Sequence, residues 1–415
     1  MSLFSHLTRS HATQSRCSLL RDYDLSAARR IGELRRHEHS KFFLFGLFGL
    51  LQDLLYRLGR ILRVTEVRPT MYLVVCTGRI SQVVEPLEWL RRATLDRRSV
   101  FVLVGRDYGN EALINLILDE EPRIIKWSHL SMSRKARLFS PFSTRETCLV
   151  RHSQPFASCL PAASRPESTS RTSLEPVMDE LRNKLQISST IKLALVAFSE
   201  KEYYSTGFGR KAGDRFSVQE DFDAAVKILV ASGHATLRIG AAVGPLAEAL
   251  VDLGMIDYAR SARNEKNDVA LARACKLMIA DASGAWWMTV PFSKQVLITN
   301  QYRIRNSLLG PEVTCLPALY WSRNSRRLLT LAEMFKLPKH PTWRDPSLEF
   351  VRCDRDAISQ AVSNLLTPQE SNSEAVERSE AIRRKISEMS GLNKLEFVCS
   401  IDPSFSLRHW DDLKI

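Results

Sequence analysis

The sequence predicts an α/β protein that has two parallel sheets and an N-terminal helical extension. Short β-rich runs alternate with segments of helical spacing between about residues 71 and 127, and the same alternation starts again near residue 191. The two regions are separated by a Ser- and Pro-rich stretch without periodicity, which is typical of a linker. A chain of 415 residues is long enough for two or three domains with large buried cores.

The N-terminal extension, residues 1–66, is basic and contains an apolar block at residues 42–51. It carries 11 Lys and Arg residues against 6 Asp and Glu residues. The block is too short to span about 30 Å of hydrocarbon, and no secretory cleavage site follows it. We expect either a helix that lies in the interface of an anionic membrane or a buried helix packed on the first domain. The protein is expected to be cytoplasmic, and the first alternative places it at the inner face of the plasma membrane.

Each α/β region has its own series of elements. In the first region, residues 67–150, the predicted strands are 72–76, 101–105 and 123–126, and the predicted helices are 85–92 and 110–118. A linker and connecting helix follow at 151–186. In the second region, residues 187–335, the predicted strands are 191–197, 235–240, 277–280 and 295–299, and the predicted helices are 222–231, 246–253, 269–275 and 285–290. The tail, residues 336–415, is expected to be helical.

This element order predicts two Rossmann-like halves, because strands that alternate with helices form a parallel sheet. Ligands of open parallel sheets bind at the carboxyl ends of the strands. We therefore expect the two halves to face a cleft that contains the active site.

The charge balance favours an anionic partner. There are 59 Lys and Arg residues against 46 Asp and Glu residues, which gives a formal net charge of +13. Nucleic acid, an anionic membrane and a nucleotide substrate all fit such a balance. Because the sequence has no basic stripe interleaved with aromatic residues and no recognised module, we do not expect nucleic acid as the partner. The eight cysteines are scattered and lack a CxxC pair, so we expect them to be reduced and mostly buried.

The turn after the predicted strand 277–280 is the most informative segment. Asp281 ends the strand, and small residues that include Ser283 and Gly284 precede a predicted helix. Free backbone N–H groups at this helix start would point into the cleft and donate hydrogen bonds to a nucleotide diphosphate. The alternative is an ordinary βα turn in which Ser283 caps the helix.

Other candidates are expected at the same edge of the second sheet. Arg238 ends a strand just before Gly240, where its guanidinium would pair with phosphate or carboxylate, unless it is only a surface charge. The long polar loop at 198–217 is either a donor or acceptor loop or a solvated insertion. The segment 263–268 precedes a helix, and its last residues are candidate caps.

Candidates for a general base are weak. Glu85 in the first half follows a turn at 77–79, and it serves either as the base or as a carboxylate at a helix start. The sequence contains no phosphate-binding P-loop, no GxSxG or HExxH motif and no Cys or His cluster with metal spacing, so no metal and no cofactor are expected.

Taken together, these segments resemble an uncharacterised family of bacterial glycosyltransferases found among surface-polysaccharide genes, and more distantly the heptosyltransferase-like branch of GT-B enzymes. The resemblance is best from about residue 190 to 335. It is carried by residues 199–200, an Arg-x-Ser element at Arg215, an Arg-x-Gly strand end at Arg238, the Ser283-Gly284 turn, and a Pro-to-Asn strand that ends at Asn300. In the first half, Arg79 stands where the family has His, and the turn at Ser283 is also altered.

The resemblance implies a metal-independent sugar transferase with a diverged site. Its donor, a nucleotide sugar, is expected beside Arg215, Arg238, Ser283, Gly284 and Asn300. Its acceptor, a cell-surface polysaccharide or a lipid-linked glycan, is expected near Arg79 and Glu85. The alternative is a catalytically inactive GT-B-like scaffold or sugar-nucleotide-binding protein.

Overall fold

The computed structural model describes sixteen stretches of the chain. They are residues 71–75, 83–84, 87, 100–104, 110–120, 124–127, 147–150, 174–199, 218–240, 244–282, 284–302, 304, 312–337, 341–367, 372–390 and 398–415. Contacts divide the chain into two compact units, one formed by residues 1–109 and 121–154 and the other by residues 110–120 and 155–415. The predicted N-terminal extension and the linker at 151–173 lie outside the described residues.

The first unit contains a four-stranded parallel sheet with the strand order β3-β2-β1-β4. In this sheet Met71 at the start of β1 pairs with Val100 in β2 and with Thr147 in β4. The strands are β1 (Met71–Val75), β2 (Val100–Val104), β3 (Ile124–Trp127) and β4 (Thr147–Val150). The parallel α/β prediction for this half is confirmed in its sheet, and β4 is a strand that the sequence analysis did not identify.

The second unit contains a six-stranded sheet in which every pair of neighbours is parallel, with the order β13-β9-β8-β7-β5-β6. All five residues of β7 are buried, as expected for a central strand that is covered on both faces. The strands are β5 (Lys192–Ala197), β6 (His234–Arg238), β7 (Leu277–Asp281), β8 (Gln295–Gln301), β9 (Val313–Pro317) and β13 (Ser400–Ile401).

The helices of this unit include α1 (Glu111–Glu120), which lies between β2 and β3 in the sequence but belongs to the second compact unit. The two amides at its start donate to one carboxylate oxygen of Glu265. The helices that follow before β7 are α2 (Glu175–Lys184), α3 (Asp223–Ala231), α4 (Glu248–Asp252), α5 (Tyr258–Ser261) and α6 (Glu265–Ala274). Apolar residues at helical spacing explain the core face of α3, where Ala225, Val226 and Leu229 are buried.

The C-terminal region is not only helical. A small antiparallel sheet with the order β11-β10-β12 is formed by β10 (Leu319–Ser322), β11 (Arg327–Leu328) and β12 (Leu348–Val351). Five helices accompany it: α7 (Leu331–Lys336), α8 (Pro341–Arg344), α9 (Arg355–Leu366), α10 (Ser373–Met389) and α11 (Pro403–Leu413). Helix α9 packs against α3, so this region completes one side of the second sheet.

The C-terminal residues also extend the large sheet. Ser400 and Ile401 pair with Thr314 and Cys315 in β9. Arg383 in α10 donates to the carbonyl oxygens of residues 398 and 399 and so holds the approach to β13. Within the stretches that the structure describes, no helix has both the length and the apolar character needed to cross a membrane.

Candidate functional site

The chain reverses its direction of winding at β5 in the second sheet. It passes from β5 to β6 on one side and then crosses to β7 on the other side. The crevice at the carboxyl ends of β5 and β7 is therefore a topological switch point, which is where open α/β sheets bind their ligands. The candidate site is built from the residues that follow β5, β6 and β7 at this edge.

Asp281 and Ser199 join the carboxyl ends of β7 and β5. Both residues are buried, and the Asp281 carboxylate accepts hydrogen bonds from the Ser199 backbone N–H and, at 3.0 Å, from the Ser199 hydroxyl. The carboxylate is thus held by two donors at the floor of the crevice. Hydrogen bonds of this kind make burial of a charged group tolerable, so this pair fixes the spacing of the two strand ends.

The turns after β6 and β7 approach each other above the end of β5. Gly240 has φ +112°, which only glycine adopts without strain. A Cβ placed on Gly240 would lie 3.9 Å from the Cβ of Ala285. The backbone of both turns is therefore close together at the crevice, and Gly284 begins the second turn.

The predicted helix at 285–290 is wrong. Two 3-10 turns occupy this segment, Ala285–Met288 and Val290–Phe292. The physical reason lies in Trp286 and Trp287, whose rings stack at 4.2 Å between centroids and are both buried, and in Pro291, which lacks the N–H that a continuing helix requires. The N–H groups of a four-residue turn carry a weaker dipole than those of a long helix.

Arg238 lies at the predicted edge, but it is not a surface charge. Its side chain is 2% exposed, its Nη1 donates to the carbonyl oxygen of Gly244 at 3.1 Å, and the same atom lies 3.3 Å from a carboxylate oxygen of Asp257. The guanidinium also lies 5.2 Å from the centre of the Phe198 ring. Burial lowers the pKa of Arg238, and the Asp257 carboxylate opposes this shift. The arginine therefore connects the ends of β5 and β6 to the loop that begins at Gly244.

Asn300 is also placed at the carboxyl edge, near the end of β8. It has φ +54° and is buried, and its Oδ1 accepts a hydrogen bond of 2.7 Å from the backbone N–H of Cys353. The side chain thus ties the sheet to the segment that precedes α9. This contact spans 53 positions in the sequence, and no local pattern predicts it.

The remaining predicted site residues lie outside the described part of the chain. These are Arg79 and Glu85 in the first region and Arg215 and Ser283 in the second. Arg238 at the end of β6 and Gly284 after β7 therefore lie at the same edge of the sheet, and Asn300 lies near the end of β8, the strand next to β7. Among the described residues, no group of three or more His, Cys, Asp and Glu side chains has an arrangement that would hold a metal ion.

Two residues of the site were missed by sequence reasoning. Asp281 was identified only as a strand end, although a carboxylate that follows four apolar residues is itself a signal of a functional or structural contact. Asp257, the partner of Arg238, gave no signal because the pairing depends on an isolated parallel bridge between Leu237 and Ile256.

Comparison with known proteins gives structural neighbours only. No family model and no curated protein matches the chain. The glycosyl transferase family 9 protein from Veillonella parvula DSM 2008 is 13% identical, with a TM-score of 0.38, covering 56% of this chain and 82% of that chain. The E. coli ADP-heptose lps heptosyltransferase II is 10% identical, with a TM-score of 0.36, covering 55% of this chain and 84% of that chain.

A third neighbour is the iron-containing dodecameric glycosyltransferase TibC from enterotoxigenic E. coli H10407. It is 12% identical, with a TM-score of 0.39, covering 79% of this chain and 76% of that chain. The solved structures thus include the heptosyltransferase-like glycosyltransferases that the sequence resembles.

Proposed function

We propose that the chain is a glycosyltransferase that binds a nucleotide sugar in its second unit and transfers the sugar to a cell-surface polysaccharide or glycolipid. The observation that carries the proposal is the switch point at β5 and β7, where the glycine turns after β6 and β7 come together. Turns without bulky side chains let a diphosphate approach backbone N–H groups closely. A parallel sheet with such turns at its carboxyl edge suits a nucleotide ligand.

In this proposal the donor diphosphate lies against the turn that begins at Gly284, with Ser283 beside it. Arg215 is a further candidate for binding the phosphates. The contacts of Arg238 and Asn300 favour an indirect role for both, since each side chain holds a neighbouring loop. Fixed donors of this kind stabilise the charge that develops on the departing phosphate, and they do so without a metal ion.

The acceptor belongs to the first unit in this proposal. Glu85 would remove the proton of the attacking hydroxyl, and Arg79 would position the acceptor in place of the family histidine. The proposal carries over the GT-B arrangement, the cytoplasmic location and the peripheral contact with an anionic membrane that the sequence analysis expects. Each of these is open to test independently of the donor site.

A thermal-shift screen against UDP, GDP, ADP, CMP and dTDP sugars tests the donor site. We expect one nucleotide class to raise the melting temperature, because a ligand that binds only the folded state stabilises it. The paired variants are Gly240→Ala and Gly233→Ala. Both glycines have positive φ, at +112° and +76°, so both variants carry backbone strain.

Only Gly240 lies at the proposed site, whereas Gly233 lies in the turn between α3 and β6. We expect Gly240→Ala to lose the nucleotide-dependent shift and Gly233→Ala to keep it. The absence of a shift with every nucleotide sugar, or equal loss in the two variants, would contradict the donor site at this edge.

Binding without turnover is the second candidate, and a specific observation favours it. Arg238 and Asn300, which the sequence analysis assigns to the phosphates, both use their side chains for internal contacts. A scaffold that only binds the nucleotide sugar needs the turns at this edge of the sheet. It needs no side chain that stabilises charge during sugar transfer. Incubation of the protein with the shifting nucleotide sugar and membrane extract separates the candidates, because only the enzyme releases the free nucleotide, which is CMP from a CMP sugar and the nucleoside diphosphate from the other donors.

A further inference from the structure

The small antiparallel sheet β11-β10-β12 has one face towards the core and one face towards solvent. On the core face Tyr320 lies opposite Phe350, with 5.6 Å between the ring centroids, and the Tyr320 hydroxyl donates to the carbonyl oxygen of Tyr302 at 2.8 Å. Successive side chains of a strand point to opposite faces, so Trp321 lies on the other face. Trp321 is 37% exposed, whereas Tyr320 is 1% exposed.

The solvent face departs from the usual pattern of an antiparallel sheet, in which it carries polar side chains. Leu328 in β11 lies directly opposite Trp321. Val351 in β12 lies diagonally across from Trp321, within reach of an aromatic ring, and is 38% exposed. Leu319, which lies opposite Val351, is buried, so only part of the face is open. Apolar residues thus occupy positions where packing of the core does not require them.

An ion pair borders this apolar surface. Glu349 in β12 lies opposite Trp321 on the side away from β11. Its Oε1 accepts a hydrogen bond of 2.7 Å from Nε of Arg323 and lies 2.5 Å from Nη2 of the same guanidinium. Both side chains are exposed. Because they neutralise each other, they supply hydrogen-bond donors and acceptors beside Trp321 without adding a net charge.

We propose that the Trp321 face, formed by Trp321, Leu328, Val351 and the Arg323–Glu349 pair, binds a saccharide unit of a glycan chain. A pyranose ring has an apolar face of C–H groups, and its hydroxyl groups lie around the rim. The C–H groups stack on an indole ring because its π face carries partial negative charge, and the contact removes apolar area from water. Arg323 donates to the hydroxyl groups at the rim, and Glu349 accepts from them.

The size of the Trp321 face favours a sugar over a protein partner. Three strands of at most four residues, spaced about 4.8 Å apart and rising about 3.4 Å per residue, give a face of about 10 by 14 Å. This area is on the order of 140 Å², whereas each partner of a stable protein complex buries about 800 Å². A second copy of the chain would need contacts well beyond this face, while a single pyranose ring does not.

A lipid surface fits the Trp321 face less well than a sugar does. Tryptophan is enriched at membrane interfaces, and Arg326 in the adjoining turn is an exposed cation that anionic lipids would attract. Insertion of Trp321 would, however, remove the neighbouring Arg323–Glu349 pair from water, and desolvation of charged groups is costly. A bound saccharide leaves the pair solvated and adds hydroxyl partners to it.

The position of the small sheet suits a glycan that approaches the donor turns. Strand β10 begins two residues after the end of β9, and the linking Ala318 donates its backbone N–H to the carbonyl oxygen of Gln301 in β8. The small sheet therefore starts at the carboxyl edge of the second sheet, the edge that also carries the donor turns. The inference goes beyond the proposed function, because the face binds saccharide whether or not the chain transfers a sugar.

Binding of the labelled full chain to an array of bacterial surface polysaccharides and oligosaccharides tests the proposal. Trp321→Ala removes the stacking ring, and Trp321→Tyr keeps a smaller one. The matched control is Leu407→Ala, which truncates a side chain of α11 that is 38% exposed. We expect the wild type and the control to bind the same glycans. Trp321→Tyr is expected to bind them more weakly, and Trp321→Ala about tenfold more weakly than the wild type or not at all.

Equal glycan binding by Trp321→Ala and Leu407→Ala would overturn the proposal, as would no binding to any glycan by the wild type. Sedimentation velocity and cosedimentation with vesicles of phosphatidylcholine and phosphatidylglycerol test the other occupants. We expect Trp321→Ala to match the wild type in both measurements. A wild-type dimer that Trp321→Ala dissociates would assign the face to a second copy, and vesicle binding that this variant loses would assign it to a lipid surface. Either result would overturn the proposal.

A nucleotide-sugar thermal shift on the same variants keeps this inference distinct from the proposed function. We expect Trp321→Ala to keep the nucleotide-dependent shift. Glycan binding through Trp321 without a shift for any nucleotide sugar would contradict the proposed function alone. Loss of the shift in Trp321→Ala together with loss of glycan binding would make Trp321 a part of the donor site and would overturn the assignment of a saccharide to this face.

Discussion

Asp281 at the end of β7 accepts two hydrogen bonds from Ser199, one from its backbone N–H and one from its hydroxyl. This pair joins neighbouring strands at the switch point of the sheet. Since Asp281 is fully buried, the donors of Ser199 would find no water if the carboxylate were removed.

Asp281→Ala is expected to lower the free energy of unfolding by about 2 to 3 kcal/mol, because it removes the acceptor of two hydrogen bonds in a buried place. Ser199→Ala is expected to cost about 1 kcal/mol, because the backbone N–H keeps its acceptor. Urea denaturation of both variants measures the order. Equal losses would show that the backbone hydrogen bond contributes little.

Asn300→Ala is expected to destabilise the protein by about 1 to 3 kcal/mol, because the N–H of Cys353 loses its acceptor in a buried environment. Asn300→Asp keeps an acceptor oxygen at the same place and is expected to retain more of the stability. Guanidinium denaturation compares the two variants. A milder effect of the alanine variant than of the aspartate variant would contradict the role assigned to the hydrogen bond.

Stability is expected to fall in acid partly through Glu333. This carboxylate pairs with Arg327 and caps α7 through Thr330, and the bond from Arg327 is the main reason why its pKa is lowered to about 2. A depressed carboxylate pKa stabilises the folded state above the ordinary value of 4.5, and this contribution disappears as the pH falls towards 2. Since both side chains are partly exposed, solvent screens the effect.

Glu333→Gln should therefore reduce stability at neutral pH by a modest amount and should differ less from the wild type as the pH falls below 4.5. Melting temperatures in a pH series, with Glu349→Gln as an exposed control, measure the difference. A gap between Glu333→Gln and the wild type that widens in acid would refute the assignment.

Four cysteines are expected to resist alkylation in the folded protein. Cys275, Cys315, Cys353 and Cys399 are buried free thiols, and burial raises the pKa of Cys275 and of Cys353 to about 12. The thiolate is the reactive form, so iodoacetamide should leave the peptides that contain these residues unmodified until a denaturant unfolds the chain. Mass spectrometry before and after unfolding makes the comparison. Rapid labelling of Cys353 in the folded state would contradict its burial.

The second sheet was largely predictable from the sequence because its strands are short apolar runs with small residues after them. The strand predicted at 277–280 was found at Leu277–Asp281, and the one predicted at 295–299 was found at Gln295–Gln301. Periodicity sufficed there because every side chain of β7 is buried. The helix predicted at residues 285–290 was wrong, because the packing of two tryptophans and a proline favour 3-10 turns there.

The candidate site was less predictable than the sheet that carries it. The position of Arg238 at a strand end could be identified, but its contacts depend on residues brought near by a bridge to Ile256. Helix α9 lies in the tail that was expected to be helical, but its bounds were not identified, although Ile358, Ala361 and Val362 have the spacing of a buried helix face. Polar residues between these positions weaken the apolar pattern in the sequence. The packing of α9 against α3 joins two segments that are far apart in the chain, so the sequence does not show it.

Strand β13 is the edge strand of the second sheet, next to β9. Two residues near the C-terminus occupy the hydrogen-bonding edge of β9, which would otherwise be open. An open edge of a flat apolar strand recruits strands from other molecules and starts aggregation. The C-terminal residues therefore reduce self-association through the edge of β9. A chain cut before residue 398 is expected to aggregate even if the rest of its core folds.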